Sequence, residues 1–300
     1  MKRSGLAFEE TKARLTRQGL HLQQTPHFLL AYSSDNSPMI VVHQLAPEDI
    51  NNSIVDLLMQ ELKPLGLVSS EQAFSQLLIG LVTSVQPRNP VAAWNLFSTN
   101  TLQRLREQLH KPFIPANDRS SIAAFASIYR RLLSLKVGSS LLDVGCAIAF
   151  WPILLAEREP ESWSRIVGVD SRRDAINLST NLARLNDITK LEFLQTDLLA
   201  SEFLELGVFD TVTAIHLLEH IPETQLPQAF NHLLQVTGHR LIIAVPYEEQ
   251  PTAAYGHEHI FTPETLEYWG KYCVKALNGK ARYWREEVAG GLLLIDRTEE

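Results

Sequence analysis

Two short runs of histidine and glutamate carry the side chains best suited to chemistry. His216, Glu219 and His220 close the segment TVTAIHLLEH, and His257 and His259 follow later in HEHIF. Imidazole and carboxylate groups bind divalent cations, and histidine shifts the preference from Mg towards Mn, Fe, Co or Zn. The same groups can take a proton from a neighbouring hydroxyl. The two runs therefore predict a cation site, a general base, or both.

The spacing H-x-x-E-H from His216 to His220 is also that of the inverted zinc-protease motif. That motif needs a helix that turns both histidines to one face. Here the preceding residues form a continuous apolar run that is typical of a buried strand, and Pro222 follows directly. We therefore disfavour a zinc protease.

Three acidic residues stand at or near the ends of other predicted strands. Asp143 precedes the turn after LLDVG, Asp170 ends RIVGVD, and Asp197 ends LEFLQTD. In a parallel sheet, ligands bind at the carboxyl ends of the strands, and an acidic residue there can accept the hydroxyls of a ribose. These positions predict a nucleoside-type ligand.

The turn DVGCAIAF is a glycine-poor form of a nucleotide-binding turn. Gly145 permits the tight turn, whereas Ala147 and Ala149 occupy positions where glycine usually lets a ligand approach the backbone. A nicotinamide-binding enzyme is disfavoured by this fingerprint.

From residue 122 onwards, apolar strands alternate with helices, which predicts an α/β fold with a parallel sheet covered on both faces. The predicted strands are 141–145, 165–170, 191–197, 209–218, 240–246 and 290–296. The predicted helices are 122–137, 152–159, 174–186, 225–237 and 262–273.

The preceding residues predict a mixed, mostly helical domain. They contain helix 5–18, a β meander over 20–24, 27–34 and 39–45, and helices over 47–62, 70–79 and 89–109. The proline-rich stretch 111–121 indicates a boundary, so we expect an accessory α+β domain over 1–115 and the α/β domain over 116–300. The accessory domain is either a lid that selects a substrate or a packing or dimer module.

Composition narrows the function classes. The 300 residues carry a formal net charge of −7, which argues against a general nucleic-acid binder. Only Cys146 and Cys273 are cysteines, so a disulfide scaffold is excluded. The sequence shows no apolar run of membrane-spanning length and no signal peptide. We expect a soluble cytoplasmic protein with no membrane partner, and the sequence leaves the oligomeric state open.

Residues 120–298 resemble the class I S-adenosylmethionine-dependent methyltransferases, with a Rossmann-like sheet. Asp143-Val-Gly-Cys-Ala-Ile-Ala149 is similar to their first motif, an acid followed by G-x-G-x-G. Asp170 matches their ribose-binding acid, Asp197 their adenine-side acid, and FDTVTAIHLLEHIP their fourth motif. The cofactor-binding residues implied by this resemblance are Asp143, Gly145, Cys146, Ala147, Asp170, Ser171, Asp197, Leu198 and His216.

The histidine runs resemble a second feature of that superfamily. Some O-methyltransferases, of ubiquinone biosynthesis and of small-RNA 3′ ends, carry E-x-x-E-H at this place, and the small-RNA enzymes add a later H-x-H-x-F. The resemblance implies a divalent cation (Mn, Mg, Fe or Zn) that orients the acceptor hydroxyl. Its implied ligands are His216, Glu219, His220, His257 and His259, and the implied catalytic residues are His216, Glu219, His220 and His259. L-E-H also occurs in methyltransferases with no known metal, so a base without a cation remains open.

Stretches along the whole chain are similar to the mycofactocin oligosaccharide methyltransferases, among them VAAWNLFSTNTLQRL, VPYEEQPTAAYGH and GGLLLIDR. This resemblance implies O-methylation of a small molecule or glycan. Glu248 and Glu249 on the same rim could bind hydroxyls or a cation, although exposed loop carboxylates are usually only solvated. Two alternatives stay open: a catalytically inactive binding subunit, suggested by Ala147 and Ala149, and an RNA 2′-O-methyltransferase.

Overall fold

The computed structural model describes residues 2–33, 39–111, 118 and 120–298, with residues 2–7 described by their backbone only. It divides into two compact units, Met1–Thr101 and Leu102–Glu300. No helix in the described ranges is long and apolar enough to cross a membrane.

The boundary between the units differs from the one expected at 115/116, and residues 112–117 of the proline-rich stretch lie outside the described residues. The division falls inside the helix Pro90–His110. Leu102, Leu105 and Leu109 are buried in a cluster with Trp151 and Leu154 of the α/β unit. Burial of these leucines draws the end of the helix into the second unit, which a proline-rich stretch could not indicate.

The first unit contains an antiparallel sheet in the order β1-β2-β3, and the buried side chains of Phe28, Leu29 and Leu30 lie on its central strand. The elements are α1 (Lys2–Arg17), β1 (His21–Gln24), β2 (Phe28–Tyr32), β3 (Ile40–His43), α2 (Ser53–Leu57), α3 (Glu71–Ser84) and α4 (Pro90–His110). The predicted meander is present. Residues 34–38, which include the end of the strand predicted over 27–34 and the whole turn predicted over 35–38, lie outside the described residues.

Two helix predictions in this unit need correction. The segment 47–62 is not one α-helix, because a 3-10 turn (Pro47–Asp49) precedes α2 and a π-helical turn (Leu58–Leu62) follows it. The helix predicted over 70–79 also ends too early, since α3 continues through Gly80 to Ser84. Leu81 and Val82 are buried just beyond the glycine, so packing outweighs its low helix propensity.

The second unit is built on a seven-stranded sheet in the order β6-β5-β4-β7-β8-β10-β9. Strands β4 to β8 pair in parallel, and β10 pairs antiparallel with both β8 and β9. The elements are α5 (Ser121–Leu135), β4 (Ser140–Val144), α6 (Phe150–Arg158), β5 (Arg165–Asp170), α7 (Arg173–Leu185), β6 (Leu191–Gln195), β7 (Phe209–Ile215), α8 (Leu226–Gln235), β8 (Thr237–Val245), α9 (Pro263–Ala276), β9 (Ala281–Glu287) and β10 (Gly291–Arg297).

This architecture confirms the predicted Rossmann-like α/β sheet. Alternate residues of each central strand point into two separate hydrophobic clusters, so helices cover both faces. On β4, for example, Leu141 belongs to one cluster and Leu142 to the other. Strand β9 was not predicted, because its sequence ARYWREE is dominated by charged side chains at the sheet edge.

Candidate functional site

The turn after β4 keeps the shape of a glycine-rich loop although two of its positions are alanine. Gly145, Ala147 and Ala149 have φ angles of 71°, 48° and 52°, so all three adopt the left-handed conformation. An L-residue is disfavoured there because its Cβ crowds the following carbonyl oxygen. The two alanines therefore hold a strained backbone that glycine would adopt more easily, and Ala149 leads directly into α6.

Hydrogen bonds to β5 and α7 hold this turn in place. The backbone N–H groups of Gly145 and Cys146 both donate to the carbonyl of Val169, at 2.8 and 2.9 Å. On the α7 side, the hydroxyl of Ser179 donates to the Ala147 carbonyl at 2.9 Å. These contacts fix the positive φ angles from outside the turn, which explains how alanine is tolerated.

Asp170, at the end of β5, joins the turn to the start of α7. One carboxylate oxygen accepts the Ala147 N–H at 3.0 Å, and the other accepts the Arg172 N–H at 2.9 Å. A carboxylate has about four acceptor directions, so these two donors leave capacity for two ribose hydroxyls. The position and remaining acceptors of Asp170 fit the ribose-binding role expected from the sequence.

Asp143 lies beneath the turn and is 3% exposed. Its carboxylate accepts a hydrogen bond of 2.7 Å from the buried hydroxyl of Thr213 on β7. The pKa of Asp143 is raised to about 7. Burial is the main cause, the hydrogen bond from Thr213 lowers the pKa, and the charge of Asp170 also raises it. The role of Thr213 could not be predicted from the sequence, because this residue lies within a mostly apolar strand.

The remaining expected cofactor contacts differ in exposure. Asp197 is exposed, and its carboxylate accepts the Leu199 N–H at 2.9 Å. Leu198 is buried, whereas Ser171 is exposed. The Cys146 thiol is buried, which raises its pKa well above the ordinary value. The side chains of Asp197 and Ser171 are therefore accessible to a ligand, while those of Cys146 and Leu198 are enclosed by the protein.

Strand β7 ends at Ile215, three residues before the predicted end, because His216 turns into the left-handed conformation with φ 50°. A 3-10 turn over Leu218–His220 follows. The H-x-x-E-H residues therefore do not form the α-helix that a zinc protease needs. The side chain of Leu217 packs over the turn after β4. A Cβ atom added at Gly145 would lie 2.7 Å from Cδ1 of Leu217. Glycine is required there for space as well as for φ.

His216 is enclosed between α5 and the following turn. Its ring lies 5.1 Å from the ring of Phe125, and its Nδ1 atom is 3.7 Å from a carboxylate oxygen of Glu219. Its Nε2 atom is buried with no hydrogen-bond partner in the described ranges. Burial lowers the pKa of His216 to about 4, and His257 and His220 contribute to the decrease. The imidazole is therefore neutral near pH 7.

Glu219, His220 and His257 form a compact cluster whose potential ligand atoms all lie within 4.8 Å of one another. Glu219 is 1% exposed, and neither of its carboxylate oxygens is hydrogen-bonded to another described residue. The pKa of Glu219 is raised to about 8: burial is the main cause, the charge of Glu248 also raises it, and a hydrogen bond from the backbone N–H of Glu219 itself lowers it. Two buried oxygens beside two imidazoles are a donor set that a divalent cation would satisfy.

Hydrogen bonds select the nitrogen that each histidine of the cluster can offer. Nδ1 of His220 lies 3.2 Å from the carbonyl of Gly256, and Nδ1 of His257 lies 2.7 Å from a carboxylate oxygen of Glu248. Both partners are acceptors, so each neutral imidazole carries its proton on Nδ1 and its lone pair on Nε2. Metal-binding histidines commonly have this second hydrogen bond. The cluster therefore fits a bound cation.

His259, the other histidine of the HEH run, is held elsewhere. Its Nε2 atom lies 3.0 Å from the carbonyl of Leu218, and its ring packs 4.8 Å from that of Phe261. The structure thus brings together three of the five expected ligands, with His216 beside Glu219. The spacing H-x-H did not indicate which histidine faces the cluster, because the backbone carbonyl that engages His259 is distant in sequence.

Glu248 lies beside the cluster, hydrogen-bonded to His257, on the rim where the sequence left open either a ligand-binding or a solvated carboxylate. Its pKa is lowered, because hydrogen bonds from Thr252 and His257 outweigh the effect of burial, which alone would raise it. A left-handed Gly256, with φ 74°, lets the loop turn back and bring His257 to Glu248.

Comparison with known proteins now defines the class. A family described as "Methyltransferase domain" matches residues 135–287, just over half of the chain. The chain belongs to this family, and with its sheet order and acidic strand ends it is a class I S-adenosylmethionine-dependent methyltransferase. No curated protein matches the chain.

Similar solved structures share a low identity with the chain. The small RNA methyltransferase HEN1 is 18% identical, with 58% of this chain and 25% of that chain covered and a TM-score of 0.49. Magnesium protoporphyrin IX methyltransferase from Synechocystis PCC 6803, with bound S-adenosylmethionine, is 17% identical over 65% and 90% of the chains, with a TM-score of 0.45. The [4+2]-cyclase SpnF is 14% identical over 66% and 92%, with a TM-score of 0.47. At these values the likeness does not extend to substrates.

Proposed function

We propose that this methyltransferase acts on a hydroxyl group of a small molecule or glycan, and that a divalent cation held by Glu219, His220 and His257 assists the reaction. The observation that carries the proposal is the pair of buried Glu219 oxygens with no hydrogen bond to another described residue, one of which lies within 4.8 Å of a ligand atom of each histidine. Glu219 and His220 of this cluster follow the end of β7. The resemblance to the fourth methyltransferase motif suggests that the methyl group lies there.

The methyl donor would be held by the turn and the strand ends. Gly145 and Ala147 would border it, Asp170 would accept ribose hydroxyls, and exposed Asp197 would lie towards the adenine. In the transfer, the acceptor oxygen bonds to the methyl carbon while the carbon–sulfur bond breaks. The sulfonium becomes a neutral thioether, and the hydroxyl proton leaves to a base. The protein mainly supplies alignment and a proton acceptor.

The ionisation of the site disfavours His216 as the base, whereas Glu219, with its pKa raised to about 8, could take the proton when no cation is bound. An effective base has a pKa near the working pH, whereas the pKa of His216 is lowered to about 4. His216 could receive a proton only weakly, so it is better suited to a neutral polar contact with the acceptor. A bound divalent cation lowers the pKa of a coordinated hydroxyl and so reduces the strength of base required.

The acceptor class is supported by the charge of the chain. The net charge of −7 disfavours a polyanionic acceptor. RNA, whose 2′-hydroxyl would suit the same cluster, is the second candidate.

The test is methyl transfer from S-adenosylmethionine labelled in its methyl group. Oligosaccharides, simple polyols, catechols and a short RNA are offered as acceptors, each with chelator and with Mn²⁺ or Zn²⁺ added. We expect label in oligosaccharides or polyols only when a cation is present. Label in RNA would assign the second candidate. Transfer that is equally fast with chelator, or transfer to nitrogen or carbon acceptors only, would contradict the proposal.

A further inference from the structure

We propose that Glu248 is a positioning residue, whose carboxylate fixes the ring and tautomer of His257 so that Nε2 is presented to the cation. The cation part of this inference rests on the proposed function. The hold of Glu248 on His257 is a property of the protein alone and can be measured without any metal. Neither residue lies in the strands that form the cofactor site.

The contact between the two side chains is short and largely shielded from water. The Glu248 oxygen lies 2.7 Å from Nδ1 of His257, and the two side chains are 16% and 6% exposed. A shielded pair is weakened less by solvent and salt than a surface pair. The contact can therefore restrict the imidazole to one orientation.

Glu248 is itself held in position. Its second oxygen accepts the Thr252 hydroxyl at 2.6 Å, so both oxygens are engaged within one loop. Within the same loop, the ring of Tyr255 lies 5.6 Å from the ring of His257 and limits its movement. Thr252 is thus hydrogen-bonded to Glu248, and Glu248 is hydrogen-bonded to His257. Outer residues commonly orient metal-binding histidines in this way.

The charge of the cluster gives Glu248 a second effect. Glu219 supplies the one carboxylate among the three candidate ligands, and the imidazoles are neutral when they bind a cation. Glu248 adds a negative charge one hydrogen bond from the site and makes Nε2 of His257 a stronger donor. Loss of such an outer partner typically weakens metal affinity by about 10- to 100-fold.

The neighbouring residue provides a matched control. Glu249 carries the same charge and follows Glu248 directly, but it is exposed. Glu248→Gln and Glu249→Gln therefore change net charge equally within one loop. The Glu248→Gln substitution keeps the size of the side chain. It places an amide N–H group, instead of a carboxylate oxygen, against either the Thr252 hydroxyl or His257. Equal melting temperatures of both variants and the wild type exclude misfolding as a cause.

Two measurements on the full chain test the inference. Titration calorimetry gives the affinity for Mn²⁺ and Zn²⁺. Long-range ¹H–¹⁵N spectra of the metal-free protein, well above the ordinary imidazole pKa of about 6.5, give the tautomer of His257. We expect the Nδ1–H tautomer in the wild type and in Glu249→Gln. In Glu248→Gln we expect a shift to mixed tautomers and a loss of affinity of about 10-fold or more.

The outcomes separate the two claims. An unchanged His257 tautomer in Glu248→Gln would overturn the role of Glu248, and so would equal affinities of the two variants for a metal that the wild type binds. A wild type that binds neither metal, together with a tautomer that changes only in Glu248→Gln, would reject the cation in the proposed function but keep Glu248 as the residue that positions His257. If Glu248→Gln fails to fold, Thr252→Val tests the same chain of support, with a smaller shift in the same direction expected.

Discussion

The backbone N–H of Ala147 donates a hydrogen bond of 3.0 Å to the carboxylate of Asp170. This contact links the turn after β4 with the acidic end of β5. It is made by a residue in a left-handed conformation that alanine rarely adopts, so the turn and the acid depend on each other. Changes at either residue should therefore be detectable in both stability and cofactor binding.

Replacing Ala147 by glycine should stabilise the protein. At φ 48° the alanine Cβ is strained, and glycine removes that strain at the expense of unfolded-chain entropy. We expect the free energy of unfolding to increase by up to about 1 kcal/mol, with S-adenosylmethionine affinity kept or improved. In the control variant Ala229→Gly, inside α8, the free energy of unfolding should decrease by about 1 kcal/mol. Chemical denaturation gives the free energy of unfolding of both variants. Equal decreases in this free energy would show that the turn is not strained.

Asp170→Asn should weaken S-adenosylmethionine binding by about tenfold or more, since a charge-assisted hydrogen-bond pair to the ribose is lost. The matched control is Asp174→Asn, a change of the same kind at an exposed position in the first turn of α7. Calorimetry should show near-normal affinity for this control. Equal affinities of the wild type and Asp170→Asn would remove Asp170 from the cofactor site.

The stability of the cofactor-free protein should depend on pH through Asp143. Its pKa rises from 3.8 to about 7 on folding, so the folded state holds a proton that the unfolded state releases. Stability contributed by this group is present below the unfolded value and falls as pH rises towards 7. The slope reaches about 1.4 kcal/mol per pH unit. Urea denaturation across this range should show a smaller decrease for Asp143→Asn, and parallel curves for the two proteins would contradict the assignment.

Cation affinity should rise with pH because Glu219 must lose its proton before it binds. With a pKa near 8, the ionised fraction increases about fivefold between about pH 7 and pH 8 and levels off above that. The apparent affinity for Mn²⁺ should follow this curve, and calorimetry in buffers of different ionisation enthalpy should detect the released proton. A constant affinity from about pH 7 to pH 9 would show that Glu219 is not a ligand.

The sequence predicted the sheet and its acidic strand ends well, because buried parallel strands such as β4 and β5 leave continuous apolar runs. It could not predict the conformation of Ala147, since local preference opposes it and contacts from Val169, Asp170 and Ser179 impose it. It also could not separate His257 from His259. That choice depends on Glu248 and on the Leu218 carbonyl, two partners that only the folded chain brings near.

The central claim is a cation site at Glu219, His220 and His257 within a methyltransferase. The most direct test is a calorimetric titration of Mn²⁺ into chelator-treated protein saturated with S-adenosylmethionine, for the wild type and for Glu219→Gln. We predict one Mn²⁺ per wild-type chain, none for the variant, and the same S-adenosylmethionine affinity in both. Absence of binding to the wild type, or equal binding to both proteins, would contradict the claim.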